Sequence, residues 1–200
     1  RSLWGNTALD VPETLNQTCR VVAIMPARNS ARTLDATVAE IPPGSVDEIV
    51  LVDNASRDDT VAIAERLGLT VVRHPVDRGY GGSIKTCLRT ALARGADLIV
   101  EIHPDNQYDP KFVPGAVAKA RSGPYAIVLG SRFIPRSAAR KGGMPWWRWV
   151  NNRILTFING RLIGVRVSEF HCGARVYNAR WIGTLSLDEF SDDFRLGFDL

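Results

Sequence analysis

The sequence predicts an α/β domain with a mostly parallel central sheet flanked by helices, and three features carry that prediction. Short β-branched runs alternate with helical patterns from Val21 to Gly130. The runs are continuously apolar, as strands covered on both faces by crossover helices are. Three of the turns that follow them are unusually polar, and an open α/β sheet binds its ligands just beyond the carboxyl ends of its strands.

The elements follow in order. Val21–Met25 reads as the first strand and Ala31–Glu40 as its helix; Glu48–Asp53 pairs in the same way with Asp59–Leu67, and Thr70–Arg73 with Gly82–Arg94. Leu98–Ile102 and Lys111–Arg121 form the next strand and helix, and Ala126–Gly130 a further strand. After Gly130 the pattern changes. Arg136–Gly143 is basic and contains glycine, and then Trp147, Val150, Ile154, Ile158 and Leu162 recur at helical spacing, which predicts one amphipathic helix. Arg166 to Leu200 mixes short strand-like and loop-like pieces. Residues 1–20 show no clear period and are read as an N-terminal extension to a single domain over 21–200, whose chain is expected to run on past Leu200.

Composition narrows the class. With 200 residues, 45% hydrophobic and 23% charged, the chain is that of one soluble globular domain, not of a disordered, collagen-like or disulfide-scaffold protein. The longest apolar runs, Val21–Pro26 and Ile154–Ile158, fall far short of the roughly 20 residues that a membrane span needs. The start lacks the layout of a secretory signal. Cys19, Cys87 and Cys172 are odd in number and widely separated, which argues against a disulfide framework or structural zinc and fits a reducing cytoplasm. The net charge is only +4, but Glu169 is the one acid between Ser131 and Leu185 among many arginines, so that stretch should attract anions.

The polar turns are Pro26-Ala-Arg28-Asn29-Ser30, Asp53-Asn54-Ala-Ser56 through Thr60, and His103-Pro104-Asp105-Asn-Gln107. Each of Asn29, Ser30, Ser56 and Asp58 taken alone reads as a helix cap; their conjunction at one sheet edge reads as a site. Neither a dinucleotide fingerprint nor a phosphate-binding Walker loop is present. Gly79-Tyr-Gly-Gly82 precedes a helix that carries Lys85, which is either a tight turn or a place where backbone N–H groups hold phosphate.

These turns resemble, in order, the motifs of family 2 glycosyltransferases of GT-A fold, close to the polyprenyl-phosphate (dolichyl-phosphate) sugar transferases. The pieces are Ile24-Met-Pro-Ala-Arg-Asn29, Val52-Asp-Asn-Ala-Ser56 with Asp59-Thr60, Gly79 to Lys85, Glu101-Ile-His-Pro-Asp-Asn-Gln-Tyr-Asp-Pro110, Gly130-Ser-Arg-Phe133 and Glu169-Phe-His-Cys-Gly-Ala-Arg175. The resemblance implies inverting transfer of a sugar from a UDP- or GDP-sugar, with Mg²⁺ or Mn²⁺ bridging the diphosphate. It places Pro26, Arg28, Asn29, Ser30, Asp53, Asn54, Ser56, Lys85, Pro104 and Arg132 on the donor, Asp105 and Gln107 on the metal, and Asp105, Glu169 and Arg175 in the catalytic set.

Three positions depart from the family pattern. Ser30 stands where many relatives have Glu, Asn54 where Asp is usual, and His103 replaces the first Asp of Asp-x-Asp. His103 is either a ligand that suits Mn²⁺ better than Mg²⁺ or a hydrogen-bonded histidine that touches no metal. His74 and His171 read as polar contacts. A polyprenyl phosphate is already an anionic nucleophile and needs cationic positioning, whereas a sugar hydroxyl needs a base, for which Glu169 stands in the right motif. Trp146, Trp147 and Trp149 beside Arg148 and Arg153 fit a helix lying at a membrane surface; the other reading gives Trp147 and Val150 to the core. The expectation is therefore a cytoplasmic enzyme at the membrane surface, with a lipid-phosphate acceptor and no nucleic acid. Transfer to a saccharide hydroxyl and a non-catalytic nucleotide-sugar binding module are the rival readings, and a nucleotidyltransferase is disfavoured because no glycine-rich basic loop follows the first strand.

Overall fold

The computed structural model describes residues 19–105, 108–131, 145–164, 167–170 and 172–193. Six strands form one sheet: β1 (Val21–Ala27), β2 (Glu48–Asn54), β3 (Thr70–His74), β4 (Leu98–Glu101), β5 (Ile127–Leu129) and β6 (Arg175–Asn178). The helices are α1 (Leu34–Ala39), α2 (Thr60–Arg66), α3 (Gly79–Ala93), α4 (Val113–Arg121), α5 (Trp146–Ile163) and α6 (Ala179–Gly183).

The sheet order is β3-β2-β1-β4-β6-β5. β3, β2, β1 and β4 run parallel, in register from Val22 opposite Glu48 to Ala27 opposite Asp53 and from Val21 opposite Leu98 to Ile24 opposite Glu101. β6 slots in antiparallel between β4 and β5. The sheet is mostly parallel, as expected, and is mixed at one side, where the chain after α5 returns to lie beside β4.

Alternation along β1 divides the core. Val21, Ala23, Met25 and Ala27 face a cluster with Leu34, Leu51, Val100 and Val117, while Val22 and Ile24 face one with Ile84, Leu88, Tyr177 and Ile182. Side chains one residue apart on a strand point to opposite faces, so a continuously apolar strand serves two layers of helices at once. The strand order reverses direction between β1 and β4, and the crevice beyond their carboxyl ends is where a doubly wound sheet holds ligands.

Of the two readings of the glycine turn, the contacts favour the tight turn. Gly79 begins α3 at φ +72°, and Gly81 and Gly82 lie inside its first turn. A Cβ at Gly81 would sit 2.5 Å from the Ser191 carbonyl oxygen, and one at Gly79 the same distance from that of Asp192. The Gly82 N–H bonds to the Asp192 carbonyl at 3.2 Å. These glycines make room for a strap of the chain's own residues 191–193, not for a phosphate.

Candidate functional site

The turn after β1 and the turn after β2 are stitched to one another. Asn29, at φ +53°, donates its N–H to Ser56 Oγ at 2.8 Å and takes the Arg57 N–H on its side-chain oxygen at 2.8 Å. The Ser30 N–H reaches Thr60 Oγ1 at 2.8 Å, and that of Ala31 reaches Asp58 at 3.0 Å. The Asn29, Ser30 and Ser56 contacts therefore build the rim of the site. The third turn joins through Thr33, whose hydroxyl donates to the carbonyl of buried Pro104.

Asn54 performs a second stitching. Its amide donates to Asp77 at 2.6 Å, and its oxygen takes the Arg78 N–H at 2.9 Å and contacts His74 Nδ1 at 3.1 Å. His74 Nε2 meets Thr86 at 3.0 Å, so both ring nitrogens are engaged inside the protein. Burial, then the charge of Arg78, holds the His74 pKa below its ordinary value. The Gly79 N–H bond, the Asn54 amide and Arg28 hold the Asp77 carboxyl below the usual range.

Between these stitches lies a cleft of about 630 Å³ lined by Arg28, Asp53, Arg57, Arg73, Val76 and Asp77 among others. Arg28 reaches across to Asp77 as an ion pair. Asp53 is 2% exposed; its Oδ2 takes the Ser56 N–H at 3.3 Å, whereas its buried Oδ1 has no hydrogen-bond partner. A buried carboxylate oxygen without a donor is costly, and a bound N–H or O–H offsets that cost. Pro26 sits half-buried at the end of β1, opposite Val52.

The end of β4 carries the second part of the site. Glu101, 1% exposed, receives the hydroxyls of Tyr80 and Tyr177 and His103 Nε2. Burial alone would push the Glu101 carboxyl up; the His103 bond and the charges of His103 and Arg175 outweigh it and hold the group below its ordinary range. His103 is affected in the opposite sense, since burial would lower it but the Glu101 bond and charge raise it. Asp105 is exposed at the strand end. Arg175 stands opposite Glu101 across the β4–β6 ladder and bonds to the Cys172 carbonyl at 3.1 Å, which sets it beneath the site as a counter-charge. Glu169, also 1% exposed, accepts from Asn152 of α5 at 3.0 Å.

Lys85 requires a correction. Its ammonium bonds to the Phe190 carbonyl at 2.8 Å and pairs with Asp192 at 2.5 Å, so it anchors the strap and does not face the cleft. Gln107, Arg132 and His171 lie outside the described residues. Sequence reading missed Glu101, Tyr80, Tyr177, Asp77, Arg57 and Arg73. One signal was available: a glutamate closing the apolar run Leu98-Ile-Val-Glu101 is out of place unless it is paired.

A mostly parallel sheet with a cleft of this size beyond β1, β2 and β3 is consistent with the GT-A glycosyltransferase arrangement. The fold matches crystal structures of glucosyl-3-phosphoglycerate synthase from Mycobacterium tuberculosis. One, in complex with Mn²⁺ and UDP-glucose, aligns with a TM-score of 0.61 and 24% identity over 84% of this chain and 59% of that one. The chain thus spans less than two thirds of that solved neighbour. The model of glycosyl transferase family 2 matches residues 22–185, and the chain belongs to that family. Among curated relatives, the UDP-N-acetylglucosamine–dolichyl-phosphate N-acetylglucosaminyltransferase of Methanococcus voltae is 25% identical over 83% of this chain and 72% of its own. The undecaprenyl-phosphate mannosyltransferase of Micrococcus luteus is 26% identical over 84% and 70%.

Proposed function

We propose that this glycosyltransferase moves a sugar, with inversion, from a UDP- or GDP-sugar to a polyprenyl-phosphate-type lipid, with a divalent metal on the diphosphate. The observation that carries the donor half is the unpartnered Asp53 Oδ1 in the wall of the cleft. An imino or hydroxyl hydrogen of a nucleoside satisfies it, and the exposed Arg28, Arg57 and Arg73 supply positive charge around it.

The metal reading fits the residues present. Among the described residues no three His, Cys, Asp or Glu side chains gather into a metal group. Asp105, exposed at the strand end, offers a single carboxylate, which suits an ion whose shell is completed by diphosphate oxygens and water. When bound, such an ion supplies Lewis-acid stabilisation of the leaving diphosphate. The chain's own part is to hold the base and ribose between the stitched turns, to keep the Asp105 carboxylate at the strand end, and to balance charge beneath it through Arg175 and Glu101.

The acceptor half of the proposal rests on α5. Its polar residues Asn152 and Thr156 face the body, while Trp146 (77% exposed), Phe157 (70%), Leu162 (80%), Ile154 and Trp147 face outward. That is the reverse of a helix packed on a core. An outward apolar stripe carrying Arg153 and Arg161 matches a helix lying in the interface of an anionic membrane. No helix among the described residues is long and apolar enough to cross a membrane. The reading is of an enzyme working from the cytoplasmic surface, and the names of the M. voltae and M. luteus relatives support the lipid-phosphate acceptor. Glu169, engaged with α5, is read as a structural tie, since a phosphate nucleophile needs no base.

The test is a thermal-shift panel of UDP, GDP, CDP and ADP with Mg²⁺, Mn²⁺ or chelator. Ligand at 100 times its dissociation constant stabilises by about 2.7 kcal/mol. UDP or GDP should stabilise in the presence of metal and lose most of the effect in Asp53→Ala; no stabilisation by any diphosphate would sink the donor reading.

A further inference from the structure

The carboxyl ends of β4 and β2 are closed in different ways. At β4 the ring of His103 is held by packing: Tyr80 stacks on it with centroids 5.8 Å apart, and a Cβ at Gly173 would come within 2.9 Å of its Cδ2 and Nε2. At β2 the closing contact is an ion pair. β2 lies between β1 and β3, with Asp53 opposite Ala27 on one side and Arg73 on the other. Arg28 follows β1 and Asp77 follows β3, so the pair that they form crosses the end of β2, in the cleft that both residues line together with Asp53.

The two oxygens of the Asp77 carboxylate are divided between the fold and Arg28. Oδ1 takes the Asn54 amide at 2.6 Å and the Gly79 N–H at 2.9 Å, which fixes it to the last residue of β2 and the first residue of α3. Oδ2 takes Arg28 Nη1. Asp77 is thus anchored with or without Arg28. The Arg28 side chain is 50% exposed and has this one ion pair and no other side-chain hydrogen bond among the described residues. A pair so open to water parts readily, since it changes an equilibrium by only about two- to fivefold. The same cleft holds the Asp53 Oδ1 that has no donor, and its other cations, Arg57 and Arg73, form no ion pair among the described residues.

We propose that Asp77 is a positioning residue that governs donor entry through Arg28: in the empty site it draws the guanidinium across the cleft, and on donor binding Arg28 exchanges the Asp77 carboxylate for the diphosphate. The inference rests on the donor-site reading above and adds a moving part to it. While the pair is closed, the guanidinium obstructs the way to Asp53, so the affinity measured for a nucleoside is reduced by the fraction of molecules in which the pair has parted. A diphosphate offers the guanidinium the same forked acceptor geometry as a carboxylate with more negative charge, so the nucleotide drives the exchange and the bare nucleoside does not.

The test is a pair of titrations on the full chain: uridine and guanosine by ligand-observed NMR without metal, and UDP and GDP by calorimetry with Mn²⁺ or Mg²⁺. The nucleosides are uncharged, so a change in the general field of the cleft does not alter their binding. Asp77→Asn with its amide oxygen in the place of Oδ1 keeps both contacts to the fold and turns an NH₂ group toward Arg28, which removes the pair. It should bind the nucleoside about two- to fivefold more tightly than the wild type, and the diphosphate by at least that factor. Arg28→Gln should also bind the nucleoside more tightly, yet bind the diphosphate about fivefold or more less tightly than Asp77→Asn, because the freed cation is missing. Nucleoside affinity that is unchanged or lower in both variants overturns the proposal, as does an Arg28→Gln that binds diphosphate as tightly as Asp77→Asn; either result leaves the donor site in place. If Asp77→Asn melts below the wild type, Arg28→Gln decides the matter on the nucleoside, since that side chain bonds only to Asp77 among the described residues. If neither nucleoside nor diphosphate binds the wild type or either variant with any metal, the donor-site reading falls and this inference with it.

Discussion

The two ends of the site are organised in opposite ways. On the proposed donor side, around β1 to β3, the polar groups of the turns are largely spent on one another: Asn29 on Ser56 and Arg57, Ser30 on Thr60, Asn54 on Asp77, Arg78 and His74. On the side proposed to meet the acceptor, α5 spends its polar residues Asn152 and Thr156 inward and leaves its large apolar ones outside. The first arrangement fixes a cleft before any ligand arrives, and preorganised groups lose less entropy on binding. The second leaves surface whose burial has yet to happen, which is the condition of a face that works against something apolar.

Several substitutions press on that contrast. The largest effect is expected at Asp105. On the reading above, Asp105→Asn should lower kcat/KM for sugar transfer by about 10²–10³-fold or more, because it removes a carboxylate from the metal at the developing diphosphate charge. The circular dichroism spectrum should not change, since the residue is exposed. Next comes Asn54→Ala, which leaves the Arg78 N–H, Asp77 and His74 without their shared partner. Urea unfolding should report a loss of about 2–3 kcal/mol, and a change under 0.5 kcal/mol would mean that the donor turns do not depend on this stitch.

The outward face of α5 should respond in the reverse sense. Replacing Trp146, Phe157 and Leu162 together by Ser should abolish sedimentation with anionic vesicles while moving stability by no more than about 0.5 kcal/mol per site. Retained vesicle binding would strip the helix of its assigned role. Glu169→Gln should leave transfer to a lipid phosphate within a few-fold of wild type, because Gln can still accept from Asn152; a loss of several orders of magnitude would revive the hydroxyl-acceptor reading with Glu169 as base.

The smallest effect is a pH dependence confined to the donor side. The pKa of His74 is lowered on folding, so the unfolded chain binds its proton first, and stability present above the ordinary value of 6.5 is lost as pH falls through the lowered one. Asp77 is also lowered, and its contribution goes as pH falls below 3.8. Unfolding free energy should therefore decline in two stages on acidification. His74→Gln should flatten the first stage alone, and an unchanged slope between pH 6.5 and 5 would contradict the assignment.

Much of this contrast was legible in the sequence, though unevenly. The parallel part of the sheet was readable because Val21–Ala27, Glu48–Asn54 and Leu98–Glu101 are apolar enough to have no other plausible place. β6 was not, since Arg175-Val-Tyr-Asn is short and takes its strand state from the vacant edge of β4. Asp53 and Asp105 could be picked out because they follow strands directly. Lys85 could not be placed correctly, because the strap that claims it comes from more than a hundred residues away, and no local pattern encodes such a contact. The helix α5 was visible as a period of apolar residues, but a period does not say which way the stripe faces.

The close approach of Gly173 to His103 has a consequence for sequence drift. A methyl group at position 173 meets a ring clamped by Tyr80 and Glu101, so the ring cannot swing aside to admit it. Only the lesser contact, 3.3 Å to Tyr108 Cε2, does not depend on that ring. The two positions, seventy residues apart, are therefore coupled: with an imidazole at 103, any side chain at 173 has to displace a ring that Tyr80 and Glu101 hold in place.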